Sequence, residues 1–309
     1  MEQRKKHTDD IIFKIKEEFK KCSILDSNMC LVVTGSFGRE EASDQSDMDW
    51  YLISSAKLDS SVVKQVEQTI DEIISKYVEK NVGGTGTFGA VIESSDLLNN
   101  FGGELDSNKA FTRRMLYLLE SKWLYNEDMY ISLKREILDK YIKSSVPNES
   151  INKFMLNDVI RYYRTICTDY QYKVSEQGKS WGVRKIKLRF SRKLLYFSGL
   201  ITVAETHGLS REEKLNKTYD LLELSPIARI AHIFGDDFHV LKEQYSYFLT
   251  EISKESVRQS LDSVVESKRK ENNKYVELSE LSKEFENELN KMFNSKYEKN
   301  HPIHASLVF

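Results

Sequence analysis

The stretch from Leu31 to Ile53, LVVTGSFGREEASDQSDMDWYLI, constrains this chain more than any other. Leu31 to Val33 is a short apolar run of the kind that fills a buried strand. Gly35 and Gly38 flank Ser36 and allow the backbone to approach a bound group closely. A short helix opening there would offer unpaired N–H groups to an anion such as a phosphate. The chain then returns as a second strand, Asp47 to Ile53. Side chains alternate along a strand, so Asp47 and Asp49 point the same way. Paired carboxylates facing a phosphate-binding turn suit Mg²⁺, and paired metals stabilise the attacking and leaving oxygens of a phosphoryl displacement. Each piece alone has an ordinary reading, the glycines as a plain turn and Asp-x-Asp as a solvated strand end. It is their spacing in one segment that points to chemistry.

Gly35-Ser36-Phe37-Gly38-Arg39, followed by Ser46-Asp47-Met48-Asp49, resembles the signature of the DNA polymerase β-type nucleotidyltransferase superfamily. Within it, the segment is similar to the protein-modifying branch that holds the PII uridylyltransferase and the glutamine-synthetase adenylyltransferase; Glu41 matches a Glu common after the Arg there. The resemblance covers roughly Leu31 to Ile53. It implies that Gly35 and Ser36 hold a nucleoside triphosphate and that Asp47 and Asp49 bind Mg²⁺ or Mn²⁺. Arg39 is either a phosphate contact or a salt bridge to a neighbouring carboxylate. The superfamily uses a third carboxylate on a later strand; Glu93, ending the strand-like run Ala90 to Glu93, is the first candidate, with Asp96, Glu104 and Asp106 behind it. The implied activity is transfer of a nucleoside monophosphate from an NTP to an acceptor hydroxyl with release of pyrophosphate. A protein or small-molecule acceptor is favoured over RNA. The alternative is a catalytically degenerate, nucleotide-binding regulatory or partner-binding module. No His-Asp dipeptide marks a phosphohydrolase module, so the chain is not expected to be the PII uridylyltransferase itself.

With 309 residues there is room for two ordinary domains. A net charge of −2 argues against a nucleic-acid footprint spread over the whole protein. Cys22, Cys30 and Cys167 are too widely spaced for a zinc pattern, and their odd number fits no secreted disulfide framework. No signal-peptide core and no run of membrane-spanning length is present, so the expected location is the cytoplasm, with no membrane partner.

The expected fold is α+β, a small mixed-sheet nucleotidyltransferase domain over residues 1–145 followed by an all-α domain over 146–309. Pro147 and its small polar neighbours supply the linker. Apolar spacing predicts helices over Thr8–Cys22, Ser60–Tyr77, Lys109–Leu124, about Met129–Lys143 and Ile151–Val174, with Thr8 to Asp10 supplying capping groups for the first. Gly83 to Gly89 is read as a turn or lid, because no Lys-Ser or Lys-Thr follows it as in a P-loop. Arg113 and Arg114 are read either as surface ion pairs or as phosphate contacts. Trp181 to Leu200 carries Lys185, Arg189 and Arg192 at helical spacing beside Ile186, Phe190, Leu194 and Phe197. Lys185 and Arg189 are the candidates for a cationic wall facing the nucleotide, against the alternative of a solvated face. Trp181 is read as a core residue, and His232 and His239 as ordinary histidines. Leu278, Leu281, Phe285, Leu289 and Met292 form a stripe that packs within the chain or makes a homodimer.

Overall fold

The computed structural model describes residues 1–80 and 88–308. The protein is α+β, with an N-terminal four-stranded mixed sheet and its helices followed by a largely helical C-terminal region. Its contacts divide it into Met1–Tyr141 and Ile142–Phe309.

The first unit runs α1 (Glu2–Lys20), β1 (Met29–Val33), α2 (Gly35–Gly38), β2 (Trp50–Ser54), α3 (Ser60–Ser75), β3 (Ala90–Glu93), α4 (Ser94–Leu98), α5 (Asn108–Glu120), β4 (Lys122–Tyr125) and α6 (Glu127–Tyr141). The strand order is β3-β2-β1-β4, with β1 antiparallel to both neighbours and β2 parallel to β3 through the α3 crossover. Strand alternation sorts the apolar residues between two faces. Met29, Leu31, Val33, Trp50 and Leu52 pack with Ile12, Ile15 and Phe19 of α1 and Val66 and Ile70 of α3. On the other face the Tyr51 hydroxyl donates to the Arg113 carbonyl in α5 (3.2 Å).

Three boundaries differ from the sequence expectation. The first helix begins at Glu2, and Thr8 lies inside it rather than capping it. The Thr8 hydroxyl donates to the Arg4 carbonyl and accepts the Ala42 N–H, so a residue with capping chemistry ties the helix to a loop instead. The helix expected to reach Leu124 stops at Glu120, and Lys122–Tyr125 becomes the fourth strand. Its apolar residues fit either period, and pairing with β1 decides it. The second strand starts at Trp50; Asp47 precedes it in an isolated parallel bridge with Lys80. Gly83 to Thr87 of the expected glycine loop lie outside the described residues, while Gly89 donates its N–H to the Trp50 carbonyl (2.7 Å).

The second unit runs α7 (Lys153–Ser175), α8 (Trp181–Lys187), a π-helical turn at Leu188–Arg192, α9 (Lys193–Ala204), α10 (Arg211–Glu223), α11 (Pro226–Phe234), α12 (His239–Ile252), α13 (Glu255–Asp262), α14 (Asn273–Lys296) and α15 (Pro302–Val308). Phe190, in the π-helical turn, stacks on Phe248 of α12 (4.4 Å between centroids) and meets Phe285 of α14. Leu278, Phe285, Leu289 and Met292 of the expected stripe are buried within this unit. Trp181 is buried against Tyr275, and His239 is exposed beside Glu243. Among the described residues no helix is long and apolar enough to cross a membrane.

Arg229 shows how this helical unit closes its ends. It is fully buried on α11, where its Nε and Nη2 donate to the Leu221 and Leu224 carbonyls at the end of α10 (2.7 and 3.0 Å) and its Nη1 to the Ser198 hydroxyl (3.1 Å). A helix end leaves carbonyls without intrahelical partners, and burial makes that costly. Arg229→Met keeps the packing volume but strips these donors. It is expected to lower stability by about 2–4 kcal/mol in denaturant unfolding.

Candidate functional site

The turn after β1 is built by two close approaches and one buried ion-pair network. Thr34 leaves the strand in an extended conformation, and its N–H donates to the Asp49 carbonyl (2.8 Å), carrying the β1–β2 pairing one step further. Gly35 then takes a φ of +67°, a conformation that costs a residue with a Cβ about 1–2 kcal/mol. A Cβ built on Gly35 would stand 2.9 Å from Asp49 Oδ2. The Asp49 carboxylate therefore lies directly against the turn. Gly38 is needed for a different reason: a Cβ there would fall 1.9 Å from the Glu120 backbone oxygen.

Glu120, the last residue of α5, holds the turn from beneath. Its Oε1 accepts the Gly35 N–H (3.2 Å) and its Oε2 accepts Arg39 Nη1 (2.6 Å). Arg39 Nε donates to Glu41 Oε2 (2.8 Å), and Arg39, Glu41 and Glu120 are all buried. Of the two roles considered for Arg39, the structure shows the salt bridge. Glu40 next to it has a φ of +64° and bonds to Lys5 and Lys122. Burial disfavours the Glu40 carboxylate, but the hydrogen bonds from Lys122 and Lys5 prevail and hold its pKa below the ordinary value.

Asp47 and Asp49 both precede β2, at the end where β1 gives way to α2. Met48 between them is fully buried in the α1–α3 core, while Asp47 is exposed and Asp49 half-buried. Ser36 is half-buried at the start of α2. The structure thus gathers Gly35, Ser36, Asp47 and Asp49 at one end of β1 and β2.

It does not bring Glu93 to them. Glu93 pairs with Ser54 at the far end of β2, five residues beyond Asp49. At about 3.3 Å per residue that is a separation of ~16 Å along the sheet. The side chain is exposed and accepts the Ser95 hydroxyl (3.3 Å). Counting back along the parallel register from Tyr51 and Ala90, the residue level with Asp49 is Phe88, which precedes β3 and carries no acid. Asp96 and Glu104 are exposed, and Asp106 is buried in an ion pair with Arg114 (2.8 Å). Among the described residues no group of three His, Cys, Asp or Glu side chains is arranged to hold a metal.

Arg113 and Arg114 are both buried, not at the surface. Arg114 also donates to the Tyr141 hydroxyl (3.2 Å) and lies over the Phe101 ring. Lys185 and Arg189 belong to the second unit. The Lys185 ammonium lies 6.0 Å from the centroid of Tyr170, and Arg189 Nη1 donates to the hydroxyls of Ser279 and Ser282, fastening the π-helical turn to α14.

Glu120 is the residue that sequence reasoning missed. Nothing in the sequence spacing ties it to Gly35, 85 residues earlier. No protein-family model matches the chain, and no curated protein matches it.

The two glycines give different expected outcomes. In Gly38→Ala the new methyl meets backbone that cannot swing aside, and stability is expected to fall by about 3 kcal/mol or more, on the order of 10 °C in melting temperature. In Gly35→Ala it meets the end of the Asp49 side chain, so the loss is expected to stay near the ~1–2 kcal/mol of the left-handed backbone. Calorimetry of the two variants side by side measures the difference.

Proposed function

We propose that the first unit is a divalent-metal-dependent nucleotidyltransferase, moving a nucleoside monophosphate from an NTP to an acceptor hydroxyl with release of pyrophosphate. The observation that carries this reading is the Asp49 carboxylate lying against the Gly35 turn, with Asp47 two residues earlier in the chain. The donor set fits Mg²⁺ or Mn²⁺, since such ions are commonly bound by one or two carboxylates together with substrate phosphates. When bound, the metal supplies charge neutralisation at the attacking and leaving oxygens.

The chain's own residues then do the positioning. Asp47 and Asp49 hold the ion beside the turn. Gly35 lets the backbone come close, and Ser36 at the start of α2 borders the phosphates. Arg39, Glu41 and Glu120 keep the turn in place from the buried side. In the transfer, the acceptor oxygen forms a bond to the α-phosphorus. The bond from that phosphorus to the bridging oxygen breaks, the hydroxyl proton goes to solvent, and pyrophosphate leaves. Prearranged geometry and charge account for most of such a rate enhancement. Glu93 has no part in this scheme, because its register places it at the other end of β2. The net charge of −2 favours a protein or small-molecule acceptor over RNA.

The separation of Glu93 from Asp47 and Asp49 favours one second reading, a module that binds metal and nucleotide without turning it over. Incubation with each α-³²P-labelled NTP and Mg²⁺ or Mn²⁺, with and without cell lysate, separates the two. The transferase reading expects a labelled protein or small molecule that falls at least ~100-fold in Asp47→Asn and Asp49→Asn while both variants remain folded. Full activity in either variant contradicts it. Metal-dependent NTP binding without any labelled product supports the binding module.

A further inference from the structure

Three of the six histidines of the chain meet at the start of α15. The His207 and His301 rings lie 4.9 Å apart, edge to face, and His301 packs 5.0 Å from the Tyr297 ring. His304 packs on Phe293, and its Nε2 lies 2.8 Å from the Tyr297 carbonyl. Nδ1 of His207 is buried without a hydrogen-bond partner.

His301 has a particular task in this cluster. It immediately precedes α15, and its Nδ1 accepts the Ile303 N–H (3.2 Å). Pro302 follows at the first helical position, where its missing N–H costs nothing. His301 is thus the N-cap of α15, with an imidazole nitrogen in the place usually taken by a Ser, Asn or Asp oxygen. A nitrogen that accepts an N–H must be unprotonated. Protonation of His301 would put a hydrogen on Nδ1 pointing at the Ile303 donor and a positive charge at a helix N-terminus, where positive charge is disfavoured.

We propose that His301 is a proton-sensitive cap that docks α15 at neutral pH and releases it in acid. A seven-residue helix does not persist in water by itself, so α15 depends on its cap and on the burial of Ile303. The groups facing His301 are Glu205 and His207 from the end of α9, Tyr297 from the end of α14 and His304 from α15 itself. Glu205 is the one carboxylate among these, and it already accepts the Tyr297 hydroxyl (2.9 Å). Burial, followed by His207 and His304, lowers the His301 pKa below 6.5 against the opposing pull of Glu205 and of a hydrogen bond to the Ala204 carbonyl. The docked form therefore holds fewer protons than the released form below pH 6.5. Docking is at full strength above that value and weakens as pH falls, by up to about tenfold per pH unit for one proton. Ser306 and Leu307 of α15 line a cavity of about 480 Å³ against Arg161 and Arg164 of α7. Release of α15 would remove one wall of this cavity.

Amide hydrogen exchange of the full chain between pH 8 and pH 5.5, corrected for intrinsic rates, tests the cap. Protection over residues 303–308 is expected to fall up to about tenfold in the wild type, while α14 stays protected. In His301→Asn the cap is kept and the titration removed, and protection is expected to hold across the range. Wild-type protection that does not change with pH overturns the proposal. So does a His301→Asn chain that loses protection with the wild-type midpoint. If that variant misfolds, the NMR titration of His301 in the wild type decides: a midpoint below 6.5, with α15 protection lost between 6.5 and that midpoint, upholds the cap, and loss outside that window overturns it.

Discussion

A buried guanidinium holds the first unit's working end together. Arg39 bonds Glu41 within its own turn and Glu120 at the end of α5, and Glu120 bonds the Gly35 N–H in return. Two buried carboxylates around one buried guanidinium form an arrangement in which no member can be removed cheaply, because the loss of one leaves the others charged and dry. The network fixes the turn to a helix far away in sequence, and the turn in turn fixes where the Asp49 carboxylate lies. Gly35 and Gly38 are two points of this turn where a Cβ would crowd a neighbour, the Asp49 carboxylate and the Glu120 backbone oxygen.

The sheet supplies the other half of the geometry. Thr34 pairs with Asp49 as a continuation of the β1–β2 ladder, so the Gly35 turn and the two aspartates are held at the same end of neighbouring strands. Met48, between Asp47 and Asp49, is buried in the core and anchors the segment that leads into β2. The same register argument separates Glu93 from them, because β3 runs parallel to β2 and ends beside Ser54.

Local patterns were readable from the sequence wherever one period dominated. The strand–turn–strand of Leu31 to Ile53, the α3 crossover and the helical second unit all follow from apolar spacing. Thr8 misled because a hydroxyl that caps a helix can equally brace a loop, and it does the latter with Ala42. Lys122–Tyr125 misled because four residues are too few to show a period. Of the candidate site, Gly35, Ser36, Asp47 and Asp49 were legible because they lie within one short segment. Glu120 was not, because its role is set by a long-range contact. The surface ion pairs considered for Arg113 and Arg114 gave way to burial, since α5 is covered along most of its length. The cap function of His301 was equally hidden, because a histidine next to a proline carries no cap signature of its own.

The central claim is that Asp47 and Asp49, beside the Gly35 turn, are a divalent-metal site for a nucleoside triphosphate. Crystals grown with Mn²⁺ and a non-hydrolysable NTP, measured for the anomalous signal of manganese, test it most directly. The account predicts a manganese peak within coordination distance of the carboxylates of both Asp47 and Asp49, with the triphosphate along residues 35–37. Manganese and triphosphate bound elsewhere, with these two carboxylates turned away from both, would contradict it.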